Sequence, residues 1–209
     1  MKFVLFVEGD TEKDVLPHLL KRCLEPQLNR PIGVRPVNFH GWANLWRDFR
    51  QKADFYLRGR GNGPDIFAVV SLIYLYGPQF FPRHLKTAEE RYTWAKAKAE
   101  TEVGHERFRQ FFAVHELEAW LLSEAGIFPK EVRKDIETLS AMPEEVNFVQ
   151  PPKKRLDDIY EHRLKRRYQP RVDGAKLFRQ LNPVVVQDKC PRFSAMIDEL
   201  IKLANAAQP

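Results

Sequence analysis

The chain has 209 residues, 44% of them apolar, and a formal net charge of +6. That length allows one sizeable core or a core domain with an appendage, and no apolar run is long enough to span a bilayer. The basic excess permits a polyanionic partner without requiring one, while Cys23 and Cys190 lack any CxxC or Cys/His spacing, which excludes a disulfide framework or zinc site.

The two cysteines instead read as reduced thiols of a cytoplasmic protein. Met1-Lys2 leads straight into an apolar run, with no small-residue cleavage site of a secretory leader. That run, Phe3 to Val7, is rich in β-branched and aromatic residues and predicts a strand buried on both faces. It stops at Glu8-Gly9-Asp10, where helical spacing begins at once. Open α/β sheets place ligands at the carboxyl ends of their strands, so Glu8 stands where a functional carboxylate would. Capping acids at a surface turn have the same residue types.

Asp10 or Thr11 can cap a helix towards Leu24, with Val15, Leu16, Leu19, Leu20 and Cys23 on one apolar face and Glu25-Pro26 as its exit. Gly33 to Phe39 predicts a short second strand, with Pro36 favouring an edge position or a bulge. Trp42 to Leu57 has helical spacing. The loop from Arg58 to Pro64 is glycine-rich, and its two arginines either contact phosphate or are simply solvated.

Asp65 to Tyr76 predicts a second strongly buried strand, followed by the aromatic loop GPQFFP and a charged helix over 87–103. Phe111 to Val114 predicts a further core strand, leading into a helix that opens on His115-Glu116-Leu117-Glu118. Strands and helices alternating in this way imply βαβ crossovers and a mainly parallel sheet flanked by helices. After Gly126 the pattern turns irregular and then helical, over 153–168, 173–181 and 192–204. The expected organisation is an α/β domain over 1–126 and a helical extension over 127–209 packed on it.

Lys153, Lys154, Arg155, Arg163, Lys165, Arg166 and Arg167 crowd one predicted helix, with Tyr160 and Tyr168 between them. Such density can track a phosphate backbone and would make binding fall steeply with salt. A solvated face balanced by Asp157, Asp158 and Glu161 is the competing reading.

Taken together, VEGDTE at 7–12, LYGPQFFP at 75–82, FAVHELEAWLL at 112–122 and DGAKLFRQLNP at 173–183, followed by CPRF, resemble the bacterial TOPRIM-like domain-of-unknown-function family 4276. The resemblance implies a TOPRIM-like fold with a helical C-terminal extension, in which a glutamate ending the first strand acts as general acid or base. It also implies an Asp-x-Asp pair, ending a later strand, that holds Mg²⁺ or Mn²⁺. Glu8 matches the first role. Tyr74 and Tyr76 stand where the two acids would be, and a neutral phenol is a poor ligand for a hard cation.

The remaining acids then supply the candidates. Glu8, Asp10 and Glu116 are the expected metal ligands, and Glu8, Glu116 and His115 the expected catalytic groups, with His115 orienting a phosphate or a water. Glu118 is expected to face outward. The expected function is a metal-dependent nuclease acting on DNA or RNA, plausible in a defence system. A separate ATPase would supply nucleotide hydrolysis, since no GxxxxGK[ST] occurs. The alternative is a non-catalytic nucleic-acid- or partner-binding protein on a degenerate TOPRIM scaffold, with the aromatic loop docking a partner.

Overall fold

The structure is a computed structural model and describes residues 1–59, 65–145 and 150–207. Strand β1 (Lys2–Val7) leads through helix α1 (Asp10–Leu28) to β2 (Gly33–Asn38), then through α2 (Trp42–Leu57) to β3 (Ile66–Tyr74). Helix α3 (Ala88–Val103) connects to β4 (Phe108–Ala113). The four strands form one parallel sheet in the order β2-β1-β3-β4. The chain steps from β1 to β2 on one side and then returns to β3 on the other. The switch point of the fold therefore lies between the carboxyl ends of β1 and β3.

Pro36 was expected to favour an edge position or a bulge, and β2 is indeed an edge strand. Val4 and Phe6 pack with Leu45, Phe49 and Tyr56 of α2 and with Tyr92 and Ala95 of α3. Phe3, Leu5 and Val7 face the opposite way, onto Leu16 and Leu20 of α1. The same core takes in α4 (Glu118–Leu122), α5 (Lys130–Glu137), α6 (Pro152–Leu164), α7 (Ala175–Gln180), α8 (Pro183–Lys189) and α9 (Pro191–Ala206). Both thiols belong to it, Cys23 on α1 and Cys190 just before α9.

Helix α1 runs past the expected exit at Pro26 to Leu28 and ends at Asn29 in the left-handed conformation, φ 51°. A proline in the last turn gives up only one backbone donor, and Leu24 and Leu28 hold the turn on the core. Three helices of the C-terminal part, α6, α8 and α9, begin with proline at their first turn, and α6 and α9 borrow an acceptor from elsewhere in the chain. The Glu116 carboxylate accepts from Lys153 N in α6, and Glu144 accepts from the Arg192 and Phe193 amides in α9. Ahead of α8, Asn182 accepts from Val184 N while Glu124 accepts from Asn182 N. Each supplies charge or a lone pair to amides that the helix cannot satisfy.

The basic segment expected as one helix to residue 168 stops at Leu164, where Lys165 adopts φ 56°. A short π-helical turn, Pro170–Gly174, follows. Of the glycine-rich loop, residues 60–64, including Arg60, lie outside the described residues. Arg58 is structural, its guanidinium donating to the Val103 and Gly104 carbonyls at 3.0 and 2.8 Å. Among the described residues no helix is long and apolar enough to cross a membrane.

Candidate functional site at the carboxyl edge of the sheet

Glu8 leaves β1 at the switch point, and its Oε1 accepts a hydrogen bond from the Tyr74 amide at the end of β3. Burial pushes its carboxyl up from the ordinary 4.5 to about 8, against the pull of the Tyr74 amide and with a further push from Glu12. Glu12 lies one helical turn along α1 and is only 5% exposed. Gly9 makes that possible: a Cβ there would sit 3.0 Å from Glu12 Oε2, so a larger residue would press on the carboxylate.

The Tyr74 hydroxyl donates to the Glu12 carboxylate. Burial, followed by the charges of Glu12 and Glu118, holds this phenol well above its ordinary pKa of 10, so it stays protonated. Glu118, expected on an outward face, is instead 4% exposed. The reason is that α4 is short and tucked into the core, so all of its residues are buried. Burial first, and Glu116 second, push the Glu118 carboxyl up to about 8. Glu8, Glu12 and Glu118 thus gather about one tyrosine.

Asp10 and Glu116 stand beside this cluster with partners of their own. Asp10 is exposed, accepts from Asn38 Nδ2 at 2.9 Å and pairs with Arg171 at 3.5 Å. Glu116 Oε2 accepts from Lys153 N at 2.8 Å, and burial raises its carboxyl. His115 is buried, which lowers its imidazole to about 4. It is therefore neutral near pH 7 and offers a water a donor or acceptor, not a phosphate a charge.

The basic residues divide by environment. Lys153, Lys154 and Arg155 occupy the exposed first turn of α6, beside Glu116. Further along, Arg163 makes two hydrogen bonds to Asp135 at 2.7 and 2.9 Å. Arg166 does the same with Asp173 at 2.7 and 2.8 Å, and covers the Tyr160 ring at 5.1 Å. Lys165 donates to the His162 carbonyl, closing the end of α6, and Arg167 is exposed.

A family model described as "Domain of unknown function (DUF4276)" matches residues 7–201. The chain belongs to this family. The C-terminal region of the Burkholderia pseudomallei OLD protein is similar in fold, with a TM-score of 0.51 and 17% identity over 99% of this chain and 98% of that one. The corresponding region of the Xanthomonas campestris pv. campestris OLD protein aligns over 94% and 93% of the two chains, at 16% identity and a TM-score of 0.42. No curated protein matches the chain. The fold of this DUF4276 member is TOPRIM-like, as its motifs implied.

TOPRIM-like folds imply a divalent cation, and the donors here suit one by type. Carboxylate oxygens are what Mg²⁺ and Mn²⁺ take, and Glu8 and Glu118 are raised chiefly by burial, which the charge of Lys153 offsets only in part at Glu118. Though gathered about Tyr74, they do not form a ready ligand set: among the described residues no group of three or more His, Cys, Asp or Glu side chains is placed to hold an ion. Sequence reading passed over Glu12 and Glu118 as site members. The signal for Glu12 was its spacing from Glu8 across Gly9. For Glu118 there was none, since a glutamate early in a helix reads as exposed.

Proposed function

We propose that this DUF4276 protein is a TOPRIM-like phosphodiesterase that hydrolyses DNA or RNA with Mg²⁺ or Mn²⁺, working with a separate ATPase in a defence system. The observation that carries this reading is Glu8: a carboxyl at the switch point of a TOPRIM-like sheet, raised to about 8 and surrounded by further acids. A group titrating near neutral pH can take a proton from water or give one to a leaving oxygen. The Tyr74 amide fixes its orientation for either task. Glu8 would hold the ion together with Glu12 or Glu118 from the cluster and Asp10 or Glu116 from its rim. Once bound, the cation supplies charge stabilisation at the phosphoryl oxygens. Neutral His115 orients a water, while Lys153, Lys154 and Arg155 at the start of α6, with Arg163, Lys165, Arg166 and Arg167 beyond, draw the strand to the edge.

Tyr74 favours a second reading, a binding protein on a scaffold that has lost its metal site. Its hydroxyl already gives Glu12 a hydrogen-bond donor where a cation would otherwise stand. Incubation of the purified chain with single-stranded and duplex DNA and RNA, in Mg²⁺, Mn²⁺ or EDTA, separates the two. Metal-dependent cleavage that disappears in Glu8→Gln supports the enzyme. Absence of both cleavage and Mn²⁺ binding, with an ATPase partner added, establishes the second reading.

A further inference from the structure

The sheet ends in β4 on one side and β2 on the other, and the two edges differ. In a strand, alternate residues turn their backbone N–H and C=O groups towards one neighbour, and the residues between turn theirs away. On β4 the outward groups are taken. The Phe108 amide donates to the His105 carbonyl at 2.9 Å, and the Phe108 carbonyl accepts from Arg109 Nη1 at 2.8 Å. The Gln110 amide donates to the Glu100 carboxylate at 3.1 Å, and its carbonyl accepts from Lys96 Nζ at 3.2 Å. The Phe112 amide donates to the Tyr92 hydroxyl. Glu100, Lys96 and Tyr92 all come from α3, which closes this edge to a further strand.

The edge of β2 has no such cover. Gly33 N and Phe39 N donate to the Met1 and Val7 carbonyls, both at 3.0 Å, which turns the odd-numbered residues of the strand towards β1. Val34, Pro36 and Asn38 therefore turn their backbone groups outward. Among the described residues no group accepts from the Val34 or Asn38 amide. Pro36 has no amide proton, so those two residues carry the donors of this edge.

Beside it, between β2 and α2, lies an open groove of about 630 Å³, lined by the apolar Val37, Phe39 and Phe55 and the side-chain amides of Asn44 and Gln51. Phe55 is 44% exposed. A strand laid against β2 would run ~4.8 Å from it, and its side chains on the α2 face would enter this groove. The free charge there is positive. Arg47 and Asp48 neutralise each other. Arg35 and Lys52, poised over the Tyr56 and Phe55 rings at 5.6 and 5.4 Å, have no acidic partner among the described residues. A second copy of the chain suits this edge poorly. Two-fold pairing of β2 with itself would set a proline in both strands and bring Arg35 and Lys52 against their equals, and like charges across strands repel. The aromatic loop at 77–82, by contrast, has its rings engaged within the chain: Phe80 stacks on Trp46, with centroids 3.8 Å apart, and Phe81 packs on Phe80.

We infer that the β2 edge receives an extended, acidic and apolar peptide segment of a partner protein as an added strand. The backbone of the segment pairs with Val34 and Asn38, an apolar side chain fills the groove at Val37, Phe39 and Phe55, and a carboxylate meets Arg35 and Lys52. Asn38 also donates through its side chain to Asp10 at 2.9 Å, so the segment would end at the margin of the candidate site. The inference goes beyond the reading above and needs neither metal nor nucleic acid.

The probes are two synthetic peptide libraries panned on the purified chain, one mixing Asp and Glu with Val, Leu and Phe, the other mixing Lys and Arg with the same apolar residues. The acidic library is expected to yield binders that shift the amide resonances of Val34 and Asn38. In fluorescence anisotropy the best of them is expected to bind Val34→Pro about tenfold more weakly than the parent, through the lost backbone hydrogen bond and the peptide carbonyl left unpaired. Val34→Ala, which keeps the amide, is expected to match the parent. The pair Arg35→Glu/Lys52→Glu leaves the backbone intact and is expected to release the acidic peptide and take binders from the basic library. If Val34→Pro does not fold, the amide shifts and the charge-reversed pair decide. An acidic library without binders overturns the inference, as do binders held equally by the parent and the charge-reversed pair. A parent that sediments as a dimer while Val34→Pro sediments as a monomer gives the edge to a second copy and overturns it too.

Discussion

The Tyr74 amide donates its hydrogen bond to the Glu8 carboxylate and so ties together the carboxyl ends of two neighbouring strands. The bond needs only an acceptor oxygen, which glutamine also has. Glu8→Gln is therefore expected to keep the fold, with an unfolding temperature close to the parent's, and to lose metal-dependent cleavage by ~100-fold or more, the usual worth of a general acid or base. Cleavage that persists in this variant removes Glu8 from the chemistry.

Tyr74→Asp replaces a protonated phenol with a carboxylate among Glu8, Glu12 and Glu118. Without metal the variant is expected to be less stable than the parent, on the order of 3 kcal/mol for the lost ring alone, and like-charge repulsion adds to that. Mn²⁺ is then expected to raise its unfolding temperature more than it raises the parent's, because an ion that binds only the folded state stabilises it. Equal responses in thermal scans with and without Mn²⁺ would argue against an ion at this position.

Glu118 is an acid whose folded pKa, about 8, lies above its ordinary 4.5. In that window the folded chain binds more protons than the unfolded chain, so stability falls as pH rises. The contribution is complete below about 4.5 and is lost on passing through 8. Glu8 has the same sign over the same window. Urea unfolding without divalent ions is expected to show lower stability at pH 8.5 than at pH 5.5. Glu118→Gln should flatten part of that slope, by an amount on the order of a few kcal/mol. A parallel profile for the variant would place this carboxyl near its ordinary value.

Gly174 closes the π-helical turn against Tyr168, and a Cβ added there would lie 2.6 Å from the tyrosine hydroxyl. Tyr168 is 3% exposed and cannot move aside into solvent. Gly174→Ala is expected to cost about 1–3 kcal/mol of stability, read as a shift in the urea midpoint, through overpacking alone. The conformation at Gly174 is ordinary, φ −58°, so backbone strain adds nothing.

Apolar runs and their spacing made the sheet and its flanking helices legible. Phe3 to Val7 is continuous and Ile66 to Tyr74 is broken only by Ser71, because both faces are covered, and Pro36 marked the edge. Trp42 to Leu57 has the bounds its periodicity predicts. Charge was a poorer guide. The run from Lys153 to Arg167 looked uniform, yet Arg163 and Arg166 are bound to Asp135 and Asp173. Remote partners of this kind leave no local pattern in the sequence. The same holds for Glu118, whose burial is set by how α4 docks and not by its neighbours along the chain.

Cys23 and Cys190 lie in the core on the α1 face, 2% and 0% exposed, and burial pushes both thiols up, that of Cys23 to about 12. In the folded chain they are neither reachable nor nucleophilic. A disulfide reagent such as Ellman's therefore reacts only with molecules in which α1 and α9 have parted from the sheet. The rate at which colour develops is an intrinsic clock for that opening, with no label introduced. It lets each variant above be timed against the parent in the same cuvette that holds the metal or the oligonucleotide.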